Sequence, residues 1–209
     1  EVIMAYSDDV LRVASLKIPW TDLRGKNILV TGATGMIGTT LVDVLMAHSD
    51  GGYHVYAAGR NEYKMMSHFS KYLTNPFFHF LKYDVREPLN SNIDFQIIIA
   101  GAGVASPQLY STDPVGVMRS NFNGVDNLFI YGIAHGLERL LYISSGEVYG
   151  EGDGRIFTED YSGYVDCTTL RACYPTAKRA TESLCIAYGC QYSIDVRIAR
   201  PCHVYGPYF

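Results

Sequence analysis

The sequence predicts an α/β domain built on a doubly wound parallel sheet. Short apolar runs bounded by Gly, Asp or Ser recur along all 209 residues, the pattern of strands buried on both faces. Between them, apolar residues step by three or four, as they do in helices with one buried face. The stretch VTGATGMIG at residues 30–38 then sets a glycine turn between the first run and a helix, the arrangement of a phosphate-holding βα unit.

The opening residues, 1–24, read as a short capped helix, with Ser7, Asp8 and Asp9 ahead of Val10 and Leu11, followed by a linker through Pro19. The domain proper occupies 25–209. Its strands are read at 27–31, 53–58, 79–83, 96–100, 139–144 and 194–199. Ile37, Leu41, Val44 and Leu45 give the helix after the first strand its apolar face. Met118, Phe122, Val125, Phe129 and Ile133 do so for a later helix, and Ala177, Ala180, Leu184 and Ala187 for the last one.

Composition bounds the function classes. A chain that is 48% hydrophobic and 18% charged is an ordinary globular domain. Its net charge of −4 gives no reason to expect nucleic acid or an anionic membrane as partner. No apolar run reaches the length of a membrane span, and no basic-then-apolar leader opens the sequence. The cysteines (Cys167, Cys173, Cys185, Cys190, Cys202) are odd in number and form no CxxC pair, which predicts a reducing, cytoplasmic setting. No His/Cys spacing matches a zinc site, so no metal is expected.

The glycines come first in the chemistry. Gly32 permits a tight turn, Gly35 lets a phosphate approach, and Gly38 lets helix and strand pack closely. The GxxGxxG spacing differs from the commoner GxGxxG fingerprint, and a purely structural turn is the alternative. The second group is YPTAK, where Tyr174 and Lys178 at i and i+4 share a helix face and Pro175 fits the first turn. A phenol titrates near 10, and an adjacent ammonium favours the phenolate. Lowering it by about three units takes roughly 4 kcal/mol, within reach of close charges in a shielded cleft. The third is SSGEVYG, Ser144 to Gly150, at the carboxyl end of a predicted strand, the sheet edge where ligands bind. There Ser145 can hydrogen-bond a substrate hydroxyl, and Glu147 is a carboxylate suited to proton transfer.

TGATGMIG, SSGEVYG, YPTAK and RPCHVYGP, in this order, resemble the extended short-chain dehydrogenase/reductase family. Within it the chain is similar to the NAD-dependent epimerase/dehydratase enzymes that modify nucleotide-linked sugars. The resemblance runs from about residue 25 to the end. It implies an NAD(P)-binding Rossmann domain over 25–209, the N-terminal part of a longer enzyme whose substrate lobe follows VYGP. It implies Tyr174 as catalytic base, Lys178 as its partner and ribose-hydroxyl ligand, Ser145 as third member, and Glu147 as base or orienting group. It places the cofactor on Gly32, Gly35, Met36, Ile37 and Gly38, on the Asp84–Val85 pair, and on the small-residue loop Ala100, Gly101, Ala102. It implies a nucleotide-sugar substrate, transient oxidation at C4 of the sugar, and a homodimer formed by helices around 115–134 and 176–189.

Two departures from that pattern sharpen the expectation. NAD users carry an acid at the end of the second strand, whereas this chain has Gly59 and then Arg60, which brings NADP into play beside NAD. The sugar 4,6-dehydratases show Thr-Asp-Glu where this chain has Ser145-Gly146-Glu147. Gly146 offers no proton, which counts against dehydration, while Glu147 is shared by dehydratases and by UDP-glucuronate decarboxylases and generally lacking in 4-epimerases. A decarboxylase or dehydratase subtype follows. The alternatives are a non-catalytic dinucleotide-binding module and a simple NADPH-dependent carbonyl reductase.

Overall fold

A computed structural model describes residues 6–48 and 52–206; residues 1–5, at the start of the expected opening segment, and 207–209, which end the RPCHVYGP match, lie outside them. Six parallel strands form one sheet in the order β3-β2-β1-β4-β5-β6. They are β1 (Asn27–Thr31), β2 (His54–Gly59), β3 (Phe78–Lys82), β4 (Ile97–Ala100), β5 (Arg139–Ile143) and β6 (Asp195–Ala199). Each expected strand is present, with ends displaced by at most one residue. The strands are apolar throughout because both sheet faces are covered: Leu29, Val30 and Ile98 have no exposure at all, each contributing about 1.5–3 kcal/mol by burial.

The helices are α1 (Tyr6–Ala14), α2 (Met36–His48), α3 (Glu62–His68), α4 (Pro107–Thr112), α5 (Pro114–Ala134) and α6 (Cys173–Tyr192). Val42, Leu45, Met46, Met65 and Phe69 pack on Val30, Val55 and Ala57 on one face of the sheet. Val125, Leu128, Phe129 and Cys185 pack on Leu29, Ile98 and Leu140 on the other. The opening helix is docked: Tyr6 donates to the buried Asp43 carboxylate of α2 at 2.7 Å, and Tyr72 does the same at 2.8 Å.

The helix faces differ from the sequence pattern in one respect. In α6, beyond its buried first turn, the buried residues are Ala177, Lys178, Thr181, Glu182 and Cys185, whereas Ala180 and Ala187 are exposed. In α5 Val125 and Phe129 are buried as expected, but Met118 and Ile133 face outward. The two helices pack on each other along small and polar side chains, with Thr181 Oγ1 donating to the Asn121 carbonyl at 3.2 Å. Hydropathy alone does not mark such a seam.

Candidate active site

The strand order reverses between β1 and β4, and in open parallel sheets the crevice beyond the carboxyl ends at such a point receives the ligand. A cavity of about 310 Å³ lies there, lined by Gly32 and Gly35, by Gly59 and Arg60 after β2, by Asp84 and Val85 after β3, and by Gly101 and Ala102 after β4. Gly32 turns the chain with φ +68°, a conformation that disfavours a side chain, and a Cβ there would lie 2.9 Å from the Ala102 backbone. Buried Thr31 sets this approach: its Oγ1 accepts from the Gly101 and Ala102 amides at 3.2 Å each. A Cβ on Gly38 would collide with the Gly32 carbonyl oxygen and lie 2.8 Å from Ala33 Cα, so Gly38 brings α2 against the turn. The start of α2 carries no acid in its first turn, leaving its positive end for an anion.

The expected cofactor residues divide by place. Gly32, Gly35, Arg60, Asp84, Val85, Gly101 and Ala102 line the cavity. Met36, Ile37 and Gly38 open α2 beside the turn, and Ala100 ends β4, all outside that lining. Gly59 ends β2, so that strand finishes without an acid. Arg60, Lys64 and Arg86 make this end of the cavity basic, and the Asp84 carboxyl is held below its usual range chiefly by hydrogen bonds from Arg86. A glycine cradle that side chains would fill, with cations around it, fits a dinucleotide.

The other expected residues gather at the end of β5, the strand next to β4. Ser144 and Ser145 follow β5, and a 3-10 turn (Gly146–Tyr149) carries Glu147, with Ser145 Oγ accepting from the Glu147 amide at 3.2 Å. Tyr174 and Lys178 stand in the first two turns of α6, both buried. Lys178 Nζ donates to the Ile143 carbonyl at 2.8 Å and lies 4.8 Å from the centre of the Tyr142 ring and 5.7 Å from that of Tyr174. Burial lowers the Lys178 ammonium to about 8, against the pull of Glu182.

In this structure the Tyr174 phenol sits above its ordinary pKa, because burial outweighs the hydrogen bond from Ser145 that works the other way. The Lys178 ammonium is turned to the Ile143 carbonyl and the two ring faces rather than acting on the phenol.

Sequence reading missed two neighbours. Tyr110 of α4 stacks on Tyr174 with ring centres 5.1 Å apart at 16°. Arg171 donates from Nη2 to both Glu147 oxygens at 2.6 and 2.7 Å, and its guanidinium lies 5.1 Å from the Tyr110 ring centre. No spacing signal links these positions. Beneath them, Glu182 accepts from Ser144 Oγ at 2.6 Å and from Arg200 Nη2 at 2.7 Å, tying the ends of β5 and β6 to α6. Gly146 also has a structural reason: a Cβ there would lie 2.8 Å from Cys202 Sγ. Among the described residues no group of acids, histidines and cysteines could hold a metal ion.

Known proteins agree with this architecture. The chain is 36% identical over 181 residues to UDP-glucuronic acid decarboxylase 6 of Arabidopsis thaliana, covering 86% of this chain and 51% of that protein. It is 33% identical to UDP-glucuronic acid decarboxylase 1 of Xenopus tropicalis, covering 87% and 42%. The chain thus spans about half the length of the curated relatives it matches. Among solved structures it superposes on UDP-glucuronic acid 4-epimerase from Bacillus cereus in complex with NAD, with a TM-score of 0.71 and 25% identity over 88% of this chain and 58% of that one. The fold of the dTDP-glucose 4,6-dehydratase DesIV from Streptomyces venezuelae is also shared, with a TM-score of 0.74 at 24% identity over 87% of this chain and 57% of that one. The family model of the NAD dependent epimerase/dehydratase family matches residues 28–209, and with the glycine cradle and the Tyr174–Lys178 pair in place, this chain belongs to that family.

Proposed function

We propose that the protein this chain belongs to decarboxylates UDP-glucuronic acid with NAD as resident cofactor. The observation that carries the subtype is Glu147, which stands beside Ser145 and Tyr174 as the acidic member of the triplet while Cys202 closes the space of a side chain at Gly146. The names of the relatives support the substrate. NAD, when bound, supplies a hydride acceptor and donor for transient oxidation at C4, which makes the C6 carboxylate a leaving group.

Gly32, Gly35 and the start of α2 would hold the pyrophosphate, and Asp84, Val85 and Arg60 the adenosine end. Tyr174 takes the proton of the C4 hydroxyl, with Ser145 hydrogen-bonded to the phenol and orienting that hydroxyl. Lys178 adds a buried positive charge behind the tyrosine ring and a donor for a ribose hydroxyl. Glu147 works as carboxylate, orienting the sugar or accepting a proton. The outward Ile130 and Ile133 of α5 and Ile186 of α6 support the pairing of two copies through these helices. The five free thiols suit a cytoplasmic setting. No described helix is long and apolar enough to cross a membrane.

The test is turnover of UDP-glucuronic acid by the longest native form of the protein. Carbon dioxide should be released with no net change in NADH, whereas a carbonyl reductase would consume NADPH. Tyr174→Phe should lower kcat by about 10³-fold and leave NAD affinity within about threefold, since the cradle is untouched. Unchanged turnover in that variant sinks the assignment.

A further inference from the structure

Arg171 is used by none of the chemistry above, yet it touches two parts of the site. It stands in the 3-10 turn Leu170–Ala172, directly ahead of α6. One of its nitrogens, Nη2, serves both Glu147 oxygens, and the same guanidinium lies over Tyr110, the ring stacked on Tyr174. Glu147 itself rides on a single short turn, with only its amide fixed by Ser145. A carboxylate on such a mount samples several rotamers unless something holds it.

We infer that Arg171 is a positioning residue that fixes the direction of the Glu147 carboxylate toward the Tyr174 hydroxyl and holds Tyr110 flat against Tyr174. It acts through Glu147 and does not bind substrate. This rests on the reading of Glu147 and Tyr174 given above. The pair is no fold-stabilising device: the two side chains are 58% and 37% exposed, and ion pairs in water contribute little to stability. Its removal should therefore leave folding intact and show in the chemistry. Because one nitrogen bridges both oxygens, an ammonium can restore the contact with the carboxylate but not the planar face against Tyr110.

The experiment uses the longest native form with UDP-glucuronic acid and the variants Arg171→Ala, Arg171→Lys, Glu147→Gln and the double Arg171→Ala/Glu147→Gln. Arg171→Ala should lower kcat by about 10- to 100-fold, the cost of a misplaced group, with KM changed less than about threefold. Arg171→Lys should recover part of the loss, through the carboxylate contact alone, and the double variant should be no worse than Glu147→Gln alone. Losses that multiply in the double variant overturn the proposal. An effect confined to KM does so too, and would make Arg171 a receptor for the substrate carboxylate. A crystal structure of Arg171→Ala gives a readout independent of turnover: the Glu147 carboxylate should leave its single position, and an unmoved carboxylate refutes the inference. The reading of the reaction fails separately, if Tyr174→Phe keeps turnover or the wild type leaves UDP-glucuronic acid intact.

Discussion

Lys178→Met should change how stability depends on pH. The wild-type ammonium is buried under the Tyr142 and Tyr174 rings with one carbonyl partner, and burial brings it from 10.5 to about 8. A lysine lowered in the folded state opposes folding wherever the unfolded chain still holds its proton. The cost is complete below pH 8 and fades as the pH approaches 10.5. At 1.36 kcal/mol per pKa unit it comes to about 3 kcal/mol at pH 7, and under about 1 kcal/mol remains at pH 10. Wild type should therefore gain about 2–3 kcal/mol relative to Lys178→Met between pH 7 and pH 10. The phenols of Tyr110, Tyr142 and Tyr174, all raised by burial, act in the opposite sense above pH 10. They are common to both proteins, so they drop out of the difference. Urea unfolding of the two proteins at stepped pH measures it. Curves that stay parallel within about 0.5 kcal/mol refute the buried, depressed ammonium.

Two glycine substitutions test the cradle and the triplet. Gly38→Ala drives a Cβ into the Gly32 carbonyl, where the opposing atoms are backbone; it should cost about 1–3 kcal/mol in thermal unfolding and weaken NAD binding in titration, and an unchanged melt with unchanged affinity would refute the packing role. Gly146→Asp meets Cys202 Sγ at 2.8 Å and Cys202 Cα at 3.3 Å; it should cost about 1–3 kcal/mol, part of it recovered by Cys202→Ala because only the sulfur is then removed. A Gly146→Asp protein as stable as wild type would show that the space is open.

The strands and the glycine turn were legible because their physics is local. A strand buried on both faces is an unbroken apolar run whatever its neighbours, and the positive φ of Gly32 leaves its mark as a glycine. The α6 face was not legible in the same way. Its buried line includes Thr181, Glu182 and Lys178, polar groups satisfied by partners from β5, α5 and the end of β6. A hydropathy count has no access to those partners, and it credits Ala180 and Ala187, which face outward. Arg171 and Tyr110 escaped for a related reason. Tyr110 lies 64 positions ahead of Tyr174 in the chain, and only the packing of α4 on the start of α6 brings the rings to 5.1 Å.

The chemistry of the two leaving groups decides how the triplet should be read. Expelling a hydroxyl from C6 requires a proton donor to the departing oxygen, whereas a carboxylate departs as carbon dioxide without one, leaving its electron pair in the 4-keto enolate, whose C5 then takes a proton. Position 146 is where such a donor stands in the dehydratase pattern. Here its amide donates to the Pro201 carbonyl at 2.8 Å, and the direction a side chain would take is filled by Cys202. An acid at this position would have to displace the Cys202 side chain. The remaining acid of the triplet, Glu147, is bridged by the Arg171 guanidinium at 2.6 and 2.7 Å. A triplet with glycine at position 146 and a filled side-chain direction there supports the proposed decarboxylation over dehydration.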